Sequence, residues 1–259
     1  MTYRNDEVIE LISSKLVAVK VNGWEDTTLA QHYGISGYPS EIIANADGTE
    51  IDRIWGYAPP EDFIQTVNDY LMNKNTLGDY LQQAETAPTM QLYNKIAEKY
   101  TSRSAYTDAE TFYRKILQGD PTNKDGYSDS ALYNLGQMKK RAKQYAGAEE
   151  AFQKLQTTYP ESELVDDAVF SIATTKSRAE KYDEAIAAFE TFMKEYPDSE
   201  LILDAMVYIP YCLKQKGDND KALLLFKEFL EKHPDSGDAN WVKEQIEEIE
   251  NPPEETEGS

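Results

Sequence analysis

Few side chains in this sequence are capable of covalent or metal chemistry. Cys212 is its one cysteine, and His32 and His233 are its two histidines. A single thiol cannot close an intrachain disulfide, and dithiol redox exchange needs a second thiolate. Cys212 lies in the apolar run YIPYCL, residues 208–213, where a thiol acts as a small hydrophobe rather than a nucleophile. The histidines are far apart with no ligand-spaced neighbours, so metal binding has no support. DPTNKDG, residues 120–126, lacks the alternating carboxylates of a calcium loop and reads as a turn. No phosphate loop or nucleophile elbow occurs. No catalytic residue, metal ligand or cofactor site is therefore assigned. What remains is charge. There are 26 basic against 47 acidic residues, a net charge of −21, and KKRAK at 139–143 is the densest basic run. Such a balance repels phosphate backbones and anionic lipid, which argues against nucleic acid and membrane surfaces as partners.

The elements that would carry these residues fall into two regions. No apolar run approaches the ~20 residues of a membrane helix. The start, MTYRNDEVIELISSK, has early acids and no long apolar stretch, which argues against a signal peptide. LVAVKV at 16–21 is β-branched and apolar, which predicts a buried strand. TTLAQHY at 27–33 predicts a short helix, followed by punctuation at Gly34 and Gly37. EIIANADGTEIDRI predicts a β-hairpin with a two-residue turn at Asp47-Gly48. In YAPPEDFIQTVNDYLM, proline suits a first helical turn, and Phe63, Val67 and Leu71 recur at helical spacing.

This order of strand, short helix, Gly-x-Pro turn, hairpin and helix resembles the thioredoxin fold after its active-site helix, over roughly residues 3–73. The resemblance implies a cis bond at Tyr38-Pro39. It also implies that the family's first strands and its C-x-x-C motif lie before the point where this chain starts. The missing part normally supplies a central strand between LVAVKV and EIIAN. Its absence leaves strand edges that invite self-association; either the sheet rearranges, or a partner strand fills in, or the natural start lies before Met1.

The second region has an internal period. Ala109, Tyr113 and Pro121 return as Ala148, Phe152 and Pro160, then Ala185, Phe189 and Pro197, then Ala222, Phe226 and Pro234. Twelve residues before each alanine stand Ala97, Gly136, Ala173 and Pro210. Small residues mark where two helices touch closely, an aromatic fills the neighbouring hole, and proline ends the second helix. This resembles the tetratricopeptide repeat, with units longer than the usual length of about 34 residues. The "YP-[DE]-S" junctions at 159–162 and 196–199 are similar to repeats of bacterial envelope proteins, and Ser162, Ser199 and Ser236 are expected to cap the following helices. Helices are predicted near 89–101, 106–118, 128–141, 145–158, 163–177, 182–195, 200–215 and 219–232, with a capping helix at 238–249. Pro210 inside one of them predicts a kink. The fold class is thus mainly α: a tetratricopeptide solenoid with a small, truncated thioredoxin-like α/β domain. The expected domains are 1–75 (thioredoxin-like), 76–88 (linker with a short helix at 77–85), 89–250 (four repeats and the capping helix) and 251–259, an acidic disordered tail.

The repeat resemblance also implies a concave face lined by the first helix of each pair. Its groove positions fall by register on Asn94, Tyr133, Gln137, Lys140, Arg141, Phe170, Thr174, Arg178, Tyr211 and Lys214. Aromatics with lysine and arginine suit an extended or helical peptide of acidic character. The expected function is a non-catalytic scaffold or adaptor, with a chaperone-like role as its more specific form, binding a protein or peptide segment without any cofactor. The alternative is a thiol–disulfide oxidoreductase whose C-x-x-C half lies outside this chain.

Overall fold

In a computed structural model the described residues are 2–35 and 37–252. The expected acidic tail falls largely at 253–259, outside them. The chain divides into two compact units, Met1–Ala131 and Leu132–Ser259. Among the described residues there are thirteen α-helices and one two-stranded sheet.

The first unit begins with α1 (Asp6–Lys15) and α2 (Thr27–His32). Asn5 caps α1, its side chain accepting from the Glu7 and Val8 amides; this satisfies donors that a helix start leaves open. Strands β1 (Ser40–Ala44) and β2 (Glu50–Trp55) pair antiparallel, with Ser40 opposite Trp55 and Ile43 opposite Asp52. Helix α3 (Pro60–Leu71) opens with Pro60 in its first turn. Val8, Leu11, Ile43, Phe63, Val67 and Tyr70 form the core that these elements share.

Three expectations for this region are corrected. Residues 16–21 form no strand. Val17 is 92% exposed and Val19 76%, and only Leu16, the cap of α1, reaches the core. A strand needs a neighbour to take up its N–H and C=O groups, and the described sheet consists of β1 and β2 alone. The hairpin turn is wider than two residues. Gly48 N–H donates to the Asn45 carbonyl, Asn45 N–H donates to Thr49, and a bulge interrupts the ladder at Ile43/Ala44. Gly48, at φ +85, takes the left-handed position that such a turn needs. In α3 it is Tyr70 rather than Leu71 that completes the core face.

The first unit continues through α4 (Leu77–Thr86), α5 (Met90–Ser102) and α6 (Tyr106–Gly119), and α7 (Ser128–Arg141) runs from the first unit into the second. Tyr80, Leu92 and Ile96 tie α4 to α5. A buried ionic cluster ties α5 to the hairpin. The Asp52 carboxylate is fully buried and accepts from Lys99 Nζ at 2.8 Å, Arg103 Nη2 at 2.7 Å, the Leu77 amide at 2.7 Å and its neighbour's amide, Arg53 N, at 2.7 Å. Arg53 donates to the Ser102 and Tyr33 carbonyls. Tyr70 Oη donates to the Arg53 carbonyl and accepts from Lys99. Burial pushes the Asp52 carboxyl up, but Lys99 and Arg103 more than offset it and hold the group below its usual value.

The second unit stacks α8 (Tyr145–Thr158), α9 (Val165–Arg178), α10 (Tyr182–Glu195), α11 (Ile202–Gln215), α12 (Asn219–Lys232) and α13 (Ala239–Glu250), each from α9 onward against its predecessor. The repeated residues do the work their spacing predicts. Ala148, Ala185 and Ala222 are fully buried, as are Phe152, Phe189 and Phe226. Gly136 faces the Phe152 ring so closely that an added Cβ would lie 2.5 Å from Cε1. Helix α11 is unbroken through the buried Pro210, although the ring removes the bond to the Met206 carbonyl.

Ser162, Ser199 and Ser236 are not the helix caps. Leu164, Leu201 and Asp238 hold those positions without side-chain cap bonds. Each serine hydroxyl instead accepts the amide two residues on, at Leu164, Leu201 and Asp238. These are serine turns, one residue type able to satisfy either motif.

Candidate peptide-binding face

The first helices of the second unit share one face, and side chains bridge it from repeat to repeat. Gln137 Nε2 on α7 donates to Ser171 Oγ on α9 at 3.0 Å. One turn later Lys140 Nζ donates to Thr174 Oγ1 at 3.2 Å. At the far end Lys214 Nζ on α11 donates to Gln245 Oε1 on α13 at 2.8 Å and pairs with Glu248. Positions three or four apart fall on one side of a helix, so residues 133, 137, 140 and 141 keep company on α7, and 170, 174 and 178 on α9.

The expected residues differ in what they have left to offer. Phe170 is part of the packing. Its ring lies 5.5 Å from Phe189 and Phe192 and 5.7 Å from Tyr208, centroid to centroid. Tyr211 meets Tyr208 and Trp241. Thr174 is buried, donating to the Ser171 carbonyl. Tyr133 is half-buried and touches Phe152 at 5.8 Å. Arg141 and Arg178 are exposed. Asn94 lies in the first unit, where its Nδ2 donates to Glu98 and its Oδ1 is buried without a hydrogen-bond partner among the described residues.

The cations separate most clearly. Lys214 is neutralised by Glu248. Lys176, also on α9, is paired with Glu149 and Glu184. Lys140 meets no carboxylate among the described residues; besides Thr174 it has only the Phe152 ring, 5.8 Å away. Burial, then the charges of Arg178 and Arg141, push its pKa down to about 8.

Two residues outside the expected set belong here. Ser171 receives Gln137, and Tyr208 stacks on Phe189 at 5.2 Å and lies within the field of Arg178. Their sequence signal is a position on the same helical stripe as Thr174 and Tyr211. Tyr38 and Pro39 lie in the first unit: their bond is cis, Tyr38 is half exposed, and its ring sits 5.6 Å from Trp24. Cys212 is fully buried, its thiol pushed up by burial, with Sγ donating to Ser177 Oγ at 3.4 Å. Among the described residues no group of three or more acids, histidines and cysteines could hold a metal ion, and no helix is long and apolar enough to cross a membrane.

Fold and repeats together define the class: a thioredoxin-like domain at the N-terminus, followed by helical repeats of the tetratricopeptide kind. Residues 2–71 match the family model of a thioredoxin-like domain, and residues 125–200 and 165–243 match that of YfiO, an outer membrane lipoprotein. A thioredoxin of Pyropia yezoensis is 33% identical over 66 residues, 26% of this chain and 61% of that protein. The chain thus spans about 61% of the length of that curated relative. The crystal structure of MamA overlays with a TM-score of 0.51 at 22% identity, covering 69% of this chain and 97% of that one. A putative kinesin light chain of Podosopora anserina with TPR-like repeats overlays at 0.50 and 13% identity, covering 66% and 90%. At such identities the likeness shows the fold alone.

Proposed function

We propose that this protein is a non-catalytic scaffold or adaptor whose first-helix face on α7, α9 and α11 binds a peptide or protein segment. The observation that carries this reading is the ladder Gln137–Ser171, Lys140–Thr174 and Lys214–Gln245. The first two bonds hold α7 beside α9 and the third holds α11 beside α13, while Cys212 Sγ donating to Ser177 Oγ joins α11 to α9. A prefixed strip binds an extended or helical segment without the ordering cost that a mobile surface incurs. Charge complementarity makes the preferred partner acidic.

The thioredoxin-like domain contributes a second exposed surface. Val17, Val19 and Val21 are exposed on a segment that is neither helix nor strand, which supports self-association through that segment. The oxidoreductase reading receives no support from the described thiol, since Cys212 is buried and single.

The test is comparative capture. Tyr133→Ala with Arg178→Ala removes two side chains at the edge of the strip while leaving Phe170 in its packing. Helical content by circular dichroism is expected to match the parent chain. The set of proteins retained by the parent chain is expected to be lost. Retention of the same set at the same level contradicts the reading.

A further inference from the structure

Acids outnumber bases by almost two to one in this chain, so a cation can find a carboxylate almost anywhere. The buried lysine of the first unit does: Lys99 donates to Asp52 at 2.8 Å. On α9, Lys176 has two acids, and on α11, Lys214 has one. Lys140 is the exception among these four. Its ammonium is drawn largely out of water and is held by a threonine hydroxyl and the face of Phe152, with Arg178 and Arg141 as its charged neighbours. Arg178, on the same face of α9, also has no ion pair among the described residues. Charged groups that lose water are ordinarily paired. Here like charges are gathered instead, and the fold bears both desolvation and repulsion.

We infer that the Lys140–Arg178 site is a seat for a carboxylate, supplied by an Asp or Glu side chain of the bound segment. The inference rests on the reading of this face as the binding surface and adds which group on the partner is recognised. Of the three ammonium donors, Thr174 occupies one, and the planar guanidinium of Arg178 can present two more in parallel. The anion supplies the counter-charge that the fold withholds. Rings stand nearby: Tyr133 meets the Phe152 ring that Lys140 faces, and Tyr208 lies within the field of Arg178. A matching segment therefore places an apolar or aromatic side chain next to its acid.

The probe is a short fluorescein-labelled peptide with an Asp-Phe-Asp centre in a Gly/Ser frame, compared with its Asn-Phe-Asn counterpart by fluorescence anisotropy on the full chain. A charge-assisted hydrogen bond is stronger than a neutral one, so the Asp peptide is expected to bind at least about tenfold tighter. Added salt is expected to reduce that preference. Lys140→Met keeps the side-chain volume, removes the charge and is expected to abolish the preference; Lys140→Arg is expected to keep most of it. Equal binding of both peptides to the parent chain overturns the carboxylate seat while leaving the face as a binding surface. An undiminished preference in Lys140→Met overturns it as well, as does absence of binding by either peptide. The wider reading stands or falls separately, on the capture comparison.

Discussion

Lys99 and Lys140 are both largely buried, and their surroundings are opposite. Lys99 is tied into a cluster with Asp52, Tyr70 and Arg103. Breaking a buried pair strands the remaining charges, which typically costs about 3–5 kcal/mol. Asp52→Asn is expected to lose an amount of that order, read as a fall in urea midpoint. The carboxylate is held below its usual value, so its contribution is present at neutral pH and lost as pH falls through the lowered value. Lys140 behaves in the reverse sense. Its folded pKa, about 8, lies below the ordinary 10.5, so the folded state disfavours the charged form. The cost is full below pH 8, on the order of 3 kcal/mol, and fades as pH rises from there toward the ordinary lysine value. Lys140→Met is therefore expected to be more stable than the parent chain at pH 7. That advantage should shrink between about pH 8 and pH 10 in urea titrations; an advantage constant over that range contradicts the assignment.

The hairpin repeats depend on close approach at a few positions. Gly136 on α7 leaves room for the Phe152 ring, and a Cβ would lie within 2.8 Å of three ring carbons. Gly136→Ala would otherwise favour a helix, but a fixed ring cannot yield as a flexible chain end can. The expected outcome is a net loss of about 1–3 kcal/mol, measured by thermal unfolding. These positions were legible in the sequence because the repeat combines helical periodicity with a small–Ala–aromatic–Pro signature. The observed α8, α10 and α12, at Tyr145–Thr158, Tyr182–Glu195 and Asn219–Lys232, follow from it directly. That residues 16–21 form no strand was not legible, because β-branched composition reports a preference while pairing needs a neighbour. Ser162, Ser199 and Ser236 were misplaced because turn and cap chemistry share the same hydroxyl geometry. On the proposed binding face, register puts Lys140 and Arg178 on the first helices α7 and α9. Register does not tell that Lys214 has its acid while Lys140 has none among the described residues, since pairing partners lie 34 residues or so away on other helices.

At the scale of the whole molecule, two chemistries meet in one acidic chain. The thioredoxin-like domain has no thiol among its described residues, and Cys212, in the repeats, is buried with its pKa raised. Thiolate attack needs an exposed, ionised sulfur. Insulin reduction by this chain is therefore expected to be absent, and measurable turnover would restore the oxidoreductase reading. The unpaired segment bearing Val17, Val19 and Val21 predicts association in sedimentation velocity that Val19→Lys weakens; equal sedimentation of both chains contradicts it. The central claim concerns the repeats, and its most direct measurement is site-specific photo-crosslinking from two faces. A photoreactive residue at Arg141, on the first-helix face, is compared with one at Gln153, exposed on α8. The account predicts discrete adducts from position 141, suppressed by excess Asp-Phe-Asp peptide, and none from position 153. Equal adducts from both positions, or adducts from position 153 alone, would contradict it.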